Sequence, residues 1–222
     1  DFVGFQWDSG IKNYTLKYDF KNYITDRFKL NYGINAIYYD FNPGSIQPSR
    51  ADSGINFSQL DKKYAFEPAL YINADHEISN KIAVSYGLRY SLFYRLGESK
   101  VNIYTNNNPV IFNSAMQIYE KATPIETQTF HKNDLLKSYN YLEPRFSLAY
   151  QYNDNQSIKA SYTKMVQYLQ LISNTSSPTP LDVWTPSDSF IKPQIASQIA
   201  LGYFKNFKND NYSLEIETYY KK

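Results

Sequence analysis

The sequence predicts an all-β fold, an antiparallel transmembrane meander β-barrel of which about eight strands are present, on three observations. The first is strict alternation at residues 81–96. Ile82, Val84, Tyr86, Leu88, Tyr90, Leu92 and Tyr94 hold one phase; Ala83, Ser85, Gly87, Arg89, Ser91, Phe93 and Arg95 hold the other. A period of two puts these sets on opposite faces of a strand. The run far exceeds the ~5–6 residues of an ordinary globular strand. A soluble sheet must hide such a face under a second layer, whereas lipid covers it in a membrane barrel. The second observation is that short polar turns and long connections alternate along the chain. The third is tyrosine, 23 of 222 residues. Its apolar ring and polar tip suit a strand and a membrane–water boundary.

The alternating segments follow in order. Residues 11–20 place Tyr14, Leu16, Tyr18 and Phe20 in phase, and residues 27–41 place Phe28, Leu30, Tyr32, Ile34, Ala36 and Tyr38. Residues 64–77 carry Phe66, Leu70 and Ile72 and lead into the 81–96 strand. The fifth segment, 141–152, carries Leu142, Phe146, Leu148, Tyr150 and Tyr152; the sixth covers 157–168. The seventh, 194–207, carries Ile195, Ile199, Leu201 and Tyr203, and the eighth runs from Tyr212 to the end through Leu214, Ile216 and Tyr220. Residues 1–10, with Trp7, read as either the end of a further strand or a loop. Short turns fall at 21–26, 78–80, 153–156 and 208–211, and long connections at 42–63, 97–140 and 169–193. Tight periplasmic turns and long extracellular loops sort this way, and such loops are uncommon in compact soluble domains. Phe66-Glu67-Pro68 followed by Ile82-Ala83-Val84-Ser85-Tyr86 is echoed by Leu142-Glu143-Pro144 followed by Ile158-Lys159-Ala160-Ser161-Tyr162. Repeated hairpins build a meander barrel, and the two prolines are expected near strand starts, where a missing N–H is tolerated.

Composition excludes other classes. Mean hydropathy is −0.56, and no run approaches the ~20 apolar residues of a membrane helix. A net charge of +2 is too balanced to argue for nucleic acid, and the absence of cysteine removes disulfides and thiolate metal sites. His76 and His131 lack a ligand spacing, and no phosphate loop or nucleophile motif is present. No enzymatic activity, metal or cofactor is expected.

Polar-phase charges are expected to face the lumen: Arg89, Arg95, Arg145, Lys159, Glu215 and Glu217, with Glu143 beside them. Such a wall steers a charged solute, holds a plug, or simply supplies the polar lining any such barrel needs. Glu67 and Glu143 are candidates for contact with a substrate or cation, or else for pairing with a neighbouring arginine. The proline-rich 178–193 connection offers Trp184, Phe190 and Asp182 as contacts for a solute or a partner, since prolines lower the entropy of a long loop. Ile82 to Tyr94 on the apolar phase are expected to face lipid. Lys164 breaks that pattern, which calls for a position at the outer rim or a bulge.

The run Tyr141-Leu142-Glu143-Pro144-Arg145-Phe146-Ser147-Leu148 resembles the barrel of TonB-dependent outer-membrane receptors of Bacteroidota type. So do Ser157-Ile158-Lys159-Ala160-Ser161-Tyr162 continuing through Gln167-Tyr168-Leu169, Ser177-Pro178-Thr179-Pro180-Leu181-Asp182-Val183-Trp184, Ile191-Lys192-Pro193-Gln194-Ile195-Ala196, and Leu201-Gly202-Tyr203-Phe204. The first half matches more loosely, through Ser9-Gly10-Ile11 and Tyr64-Ala65-Phe66-Glu67-Pro68. The resemblance implies a barrel of roughly 22 strands in the bacterial outer membrane, an internal plug and a TonB box. It implies uptake of a scarce solute such as a metal chelate, oligosaccharide or peptide, driven by TonB. Neither plug nor TonB box is visible in this sequence, so a portion of a barrel is expected, with membrane lipid and the TonB system as partners and a surface lipoprotein or other outer-membrane protein as a further one. The alternatives are a partner-docking barrel in an outer-membrane complex, a complete eight-stranded barrel, and a soluble sandwich.

The two phases of residues 82–94 are expected to differ in environment. In the intact protein a spin label at Leu88 should be relaxed by oxygen dissolved in lipid, and one at Arg89 by a water-soluble quencher. Equal accessibility at both sites would refute the assignment of faces.

Overall fold

In the computed structural model, which describes residues 4–50, 52, 54–172, 183–207 and 211–222, eight long strands form an antiparallel meander. They are β1 (Phe5–Thr25), β2 (Phe28–Pro48), β3 (Lys63–Ser79), β4 (Ile82–Leu96), β5 (Leu135–Asn153), β6 (Gln156–Gln167), β7 (Gln194–Phe207) and β8 (Tyr212–Lys221). Each pairs with its neighbour in sequence. The sheet runs from β1 to β8 without those two strands meeting, so among the described residues it is an open wall and not a closed eight-stranded barrel.

Register carries the alternation across the wall. In one row Tyr18 opposes Ile34, Ile34 opposes Leu70, Leu70 opposes Tyr90, and Tyr90 opposes Leu142. In another, Tyr86, Phe146, Tyr162, Ile199 and Tyr220 follow from β4 to β8. Tyr18, Leu70 and Ile199 are each more than half exposed, so this apolar face has no second layer over it. Cross-strand pairs of this kind stabilise a sheet by ~0.2–1 kcal/mol each, too little to offset an uncovered apolar face in water. A soluble sandwich is therefore not this fold. The opposite face holds the buried residues: Tyr39, Phe41, Ala65 and Phe93 pack with Tyr168, supported by Ile37, Tyr139 and Tyr141.

The three tight turns among the described residues share one construction. Asp26-Arg27, Asn80-Lys81 and Asp154-Asn155 form the turns, and each is preceded by a bulge that leaves Ile24, Ile78 or Tyr152 without a cross-strand partner. Thr25 Oγ1, Ser79 Oγ and Asn153 Oδ1 each accept a hydrogen bond from the backbone N–H two residues on, at 3.3, 3.2 and 3.0 Å. These side chains satisfy a turn amide that the ladder cannot reach. Arg27 Nη2 donates to Asn80 Oδ1 at 2.9 Å, tying the first turn to the second.

Several boundaries differ from the sequence expectation. β1 begins at Phe5, so Trp7 lies in a strand with a bulge between Asp8 and Gly10. There Trp7 lies across Gly44, whose φ of +153° and contact with the indole ring both require glycine. β2 continues to Pro48 and pairs at its outer end with Ser58–Gln59, which shortens the connection expected at 42–63. The 97–140 connection contains two ribbons, Ser99–Ile103 with Glu126–Phe130 and Val110–Asn113 with Ile118–Lys121. β5 starts at Leu135, so Glu143 and Pro144 are mid-strand and not near a strand start. Pro144 is tolerated because β5 pairs with β6 only from Arg145 onward. Pro68 is tolerated because the β3–β4 ladder skips from Phe66 to Ala69. Lys164 opposes Ser197 with no register shift in the β6–β7 pair, so no bulge explains its phase. The turn expected at 208–211 lies almost wholly outside the described residues.

Gly33 permits a close approach that no other residue would. A Cβ there would meet the Tyr71 hydroxyl at 2.6 Å and the Tyr18 carbonyl oxygen. Gly33→Val should destabilise the full-length protein by ~1–3 kcal/mol, read as a lower urea midpoint in lipid vesicles. Adding Tyr71→Ala should recover only part of the loss, because the backbone contact remains.

Candidate functional site

The polar face is shaped by the point at which β6 leaves β5. Their last pair is Arg145 with Thr163, while β6 stays paired with β7 as far as Gln167 with Gln194. The chain then folds over the wall. Leu169–Ile172 pairs with Val183–Pro186 as a ribbon, and the second of these strands touches β2 and β3. Tyr168 anchors the fold-over: its ring stacks on Phe93 with centroids 4.7 Å apart and planes at 3°, and its hydroxyl is 2.7 Å from Ser91 Oγ. Lys63 Nζ donates to Thr185 Oγ1 at 2.7 Å, and the Tyr139 hydroxyl donates to the Asp188 carbonyl at 2.6 Å. Ser187 donates through both its amide and its hydroxyl to the Tyr168 carbonyl, at 2.7 and 2.9 Å. Burial of a large ring together with satisfied polar tips favours this seating over a solvated loop.

Beneath the ribbon, Arg89 sits between two carboxylates. Its Nη2 is 3.7 Å from Glu67 Oε1 and its Nε 3.7 Å from Glu143 Oε1. Glu143 opposes Arg89 directly across β4–β5. The outer oxygens are used as well. The Tyr39 hydroxyl donates to Glu67 Oε2 at 3.0 Å, and the Val166 amide donates to Glu143 Oε2 at 3.3 Å. Val166 lies beyond the last β5–β6 pair, so the Glu143 side chain takes over from a missing ladder partner. One guanidinium thus holds three neighbouring strands together, and two carboxylates so close would otherwise repel.

The structure brings some of the expected site residues together and separates others. Glu67 and Trp184 line one cavity of ≈890 Å³, with Leu169 and Gln194 on its wall. Trp184 opposes Leu171 in the ribbon and remains 41% exposed, so its ring is available to a ligand. Phe190 lies elsewhere, edge-on to Tyr104 with centroids 6.0 Å apart, and shares a second cavity with Arg95. Asp182 lies outside the described residues. Arg145 is exposed on the polar face; Lys159 sits 4.5 Å over the Phe204 ring; Glu217 opposes Gly202 and Glu215 opposes Phe204, toward the other end of the wall. Ile82 to Tyr94 share the apolar face, where Tyr94 stacks on Phe66. His76 packs edge-on to Phe28, and His131 Nδ1 is 3.4 Å from Asp134 Oδ2. Among the described residues no group of three or more His, Cys, Asp or Glu is placed to hold a metal ion.

Tyr39, Ser91 and Tyr168 were not singled out from sequence. A signal for the Arg89 clamp did exist: the two hairpins echo each other, yet Met165 takes the place of Arg89 in the second copy.

A wall with one uncovered apolar face, one polar face, tight turns at one end and extended ribbons at the other is that of a membrane-spanning β-barrel. Residues 9–211 match the family model described as outer membrane beta barrel domain, and the chain belongs to that family. The protein is a component of the bacterial outer membrane. Comparison with curated proteins finds no match. Among solved structures, the FrpB iron transporter from Neisseria meningitidis is similar in fold. Its F3-3 variant aligns with a TM-score of 0.54 at 16% identity, over 95% of this chain and 28% of that one. The F5-1 variant aligns at 0.53 and 15% identity over 95% and 28%, and its apoprotein form equally at 0.53 and 15% over 95% and 29%. The chain therefore spans under a third of the length of those transporters. Its two longest strands have 21 residues each. At ~3.3 Å per residue and ~45° of tilt they reach roughly twice the ~25 Å apolar band of such a barrel, so their outer ends project beyond the bilayer.

Removing the Arg89 clamp should leave Glu67 and Glu143 uncompensated. Arg89→Met is expected to lower stability by ~1–3 kcal/mol, an amount discounted for partial solvent access. Glu67→Gln combined with Arg89→Met should cost less than the single Arg89 change. The urea midpoint of the assembled protein checks both, and additive losses would contradict the coupling.

Proposed function

We propose that this chain forms wall and mouth of an outer-membrane transporter that takes up a scarce solute: a metal chelate, an oligosaccharide or a peptide. Uptake would use a plug, supplied by a part of the protein outside this chain and moved by the TonB system as a partner, as in the Bacteroidota-type receptors that the sequence resembles. In this reading Ile82, Val84, Tyr86, Leu88, Tyr90, Leu92 and Tyr94 face lipid, and Arg89, Arg95, Arg145, Lys159, Glu215 and Glu217 face the lumen. The observation that carries the proposal is the cavity that Trp184 of the folded-over ribbon and Glu67 of the Arg89 clamp line together. A large ring held on a seated ribbon binds a solute at low ordering cost. Likeness of fold to an iron transporter favours a transport role over a purely mechanical one, and among the three solutes it favours a metal chelate.

One observation favours the second reading, docking of a partner protein. The hairpin formed by Val110–Asn113 and Ile118–Lys121 exposes Ile111, Phe112, Met116 and Tyr119 away from the wall. An apolar tip of that kind suits a surface lipoprotein or another outer-membrane protein.

Uptake by cells carrying the full-length protein separates the two. A ferric chelate, a maltooligosaccharide or an oligopeptide should accumulate only when TonB is present. Trp184→Ala should lower that uptake about tenfold or more while leaving assembly in the membrane unchanged. Accumulation of none of the three above cells lacking the protein would favour docking.

A further inference from the structure

A second cavity, of ≈470 Å³, opens at the mouth between the outer ends of β4 and β5, the Ser99–Ile103 strand and the segment that follows the inward ribbon. Lys63, Arg95, Lys100 and Lys137 line it, and the carboxylate among its lining residues is that of Asp188. The charge of Asp188 reaches Lys63 and Arg95 only at longer range, as that of Asp61 reaches Lys63. Asp188 Oδ1 accepts hydrogen bonds from the amides of Phe190 and Ile191 at 2.8 and 2.9 Å. No ion pair among the described residues joins it to any of the four cations.

Arg95 is 3% exposed. Its Nη1 donates to the carbonyl oxygens of Tyr64 and Leu96, while its Nε has no partner. Lys63, half-buried, donates to the neutral hydroxyl of Thr185. Elsewhere on this face one cation is flanked by two carboxylates, as Arg89 shows; here four cations line a cavity with one carboxylate and no ion pair. Positive charge withheld from water with no carboxylate in ion-pair contact is costly, and an oxyanion relieves that cost through charge-assisted hydrogen bonds. Exposed Lys100 and Lys137 flank the entrance, and the Tyr104–Phe190 pair supplies an apolar side. The volume falls within the ~300–1,000 Å³ usual for small-molecule sites.

We propose that this cavity is a binding site for a small oxyanion bearing two or more carboxylate or phosphate groups. Arg95 and Lys63 hold the inner group, and Lys100 and Lys137 the outer one. The proposal rests on the transporter reading and makes anionic solutes its substrate class.

Calorimetry on the purified full-length protein in detergent tests it, with citrate and pyrophosphate as probes and glucose as the neutral control. At low ionic strength at least one of the anions should bind and glucose should not, and binding should weaken with added salt. Lys100→Gln with Lys137→Gln alters only exposed side chains and should weaken binding about tenfold or more. Lys63→Arg should retain the binding that Lys63→Gln loses. Lys205→Gln, near the tight turns, should change nothing. Failure of both anions to bind, or unchanged affinity in the Lys100/Lys137 variant, would overturn the proposal. Uptake of a neutral solute without anion binding defeats the anion site alone. Anion binding without uptake of any solute defeats the transport reading alone.

Discussion

The backbone ladder that runs strand by strand from β1 to β8 is the constraint on which everything else in this molecule depends. Within a bilayer no water accepts a stray N–H or C=O, so each strand must satisfy its groups on its neighbours. Side chains alternate with a period of two, so a slip of one residue in any pair would bring Leu88 to the polar face and Arg89 to the apolar one. The tight turns pin the register. Thr25, Ser79 and Asn153 each hold a turn amide in the same way, and the bulge before each turn is the same device repeated. The rows that run from Tyr18 to Leu142 and from Tyr86 to Tyr220 follow from those local choices.

The site forms where the ladder is interrupted. Pro68 leaves a gap between β3 and β4, and Pro144 marks the place above which β5 has no pairing with β6. Freed from β5, the end of β6 carries Tyr168 over the wall to Phe93, and the Val166 amide left behind is taken by Glu143. The same carboxylate engages Arg89, which also engages Glu67. Breaks in pairing, ribbon seating and the charged clamp are therefore one connected arrangement. A change at Glu143 touches all three.

Charge is distributed unequally along the polar face. Arg89 is flanked by two carboxylates and has a structural role. Arg95 and Lys63 are withdrawn from water with no carboxylate paired to them. Burial alone would not distinguish these cases; their partners do. Lys159, over the Phe204 ring, is a third arrangement, in which an aromatic face partly answers the cation.

The sequence by itself determined the strands, their faces and the class of barrel, because a period of two is a local property that survives in the unfolded chain. The alternation from Ile82 to Tyr94 and the sorting of short and long connections are legible without any contact being known. It also exposed the Glu-Pro echo, since repeats need no geometry to be seen. Only the tertiary structure decided that Glu67 and Glu143 converge on Arg89, that Trp184 shares a cavity with Glu67 while Phe190 does not, and that the 97–140 connection is built of ribbons. Those facts depend on pairings between residues far apart in the chain. Arg89 and Arg95 share a phase on one strand, six residues apart, and look alike in sequence. One became a clamp and the other a buried cation without an ion-pair partner because different segments folded against them.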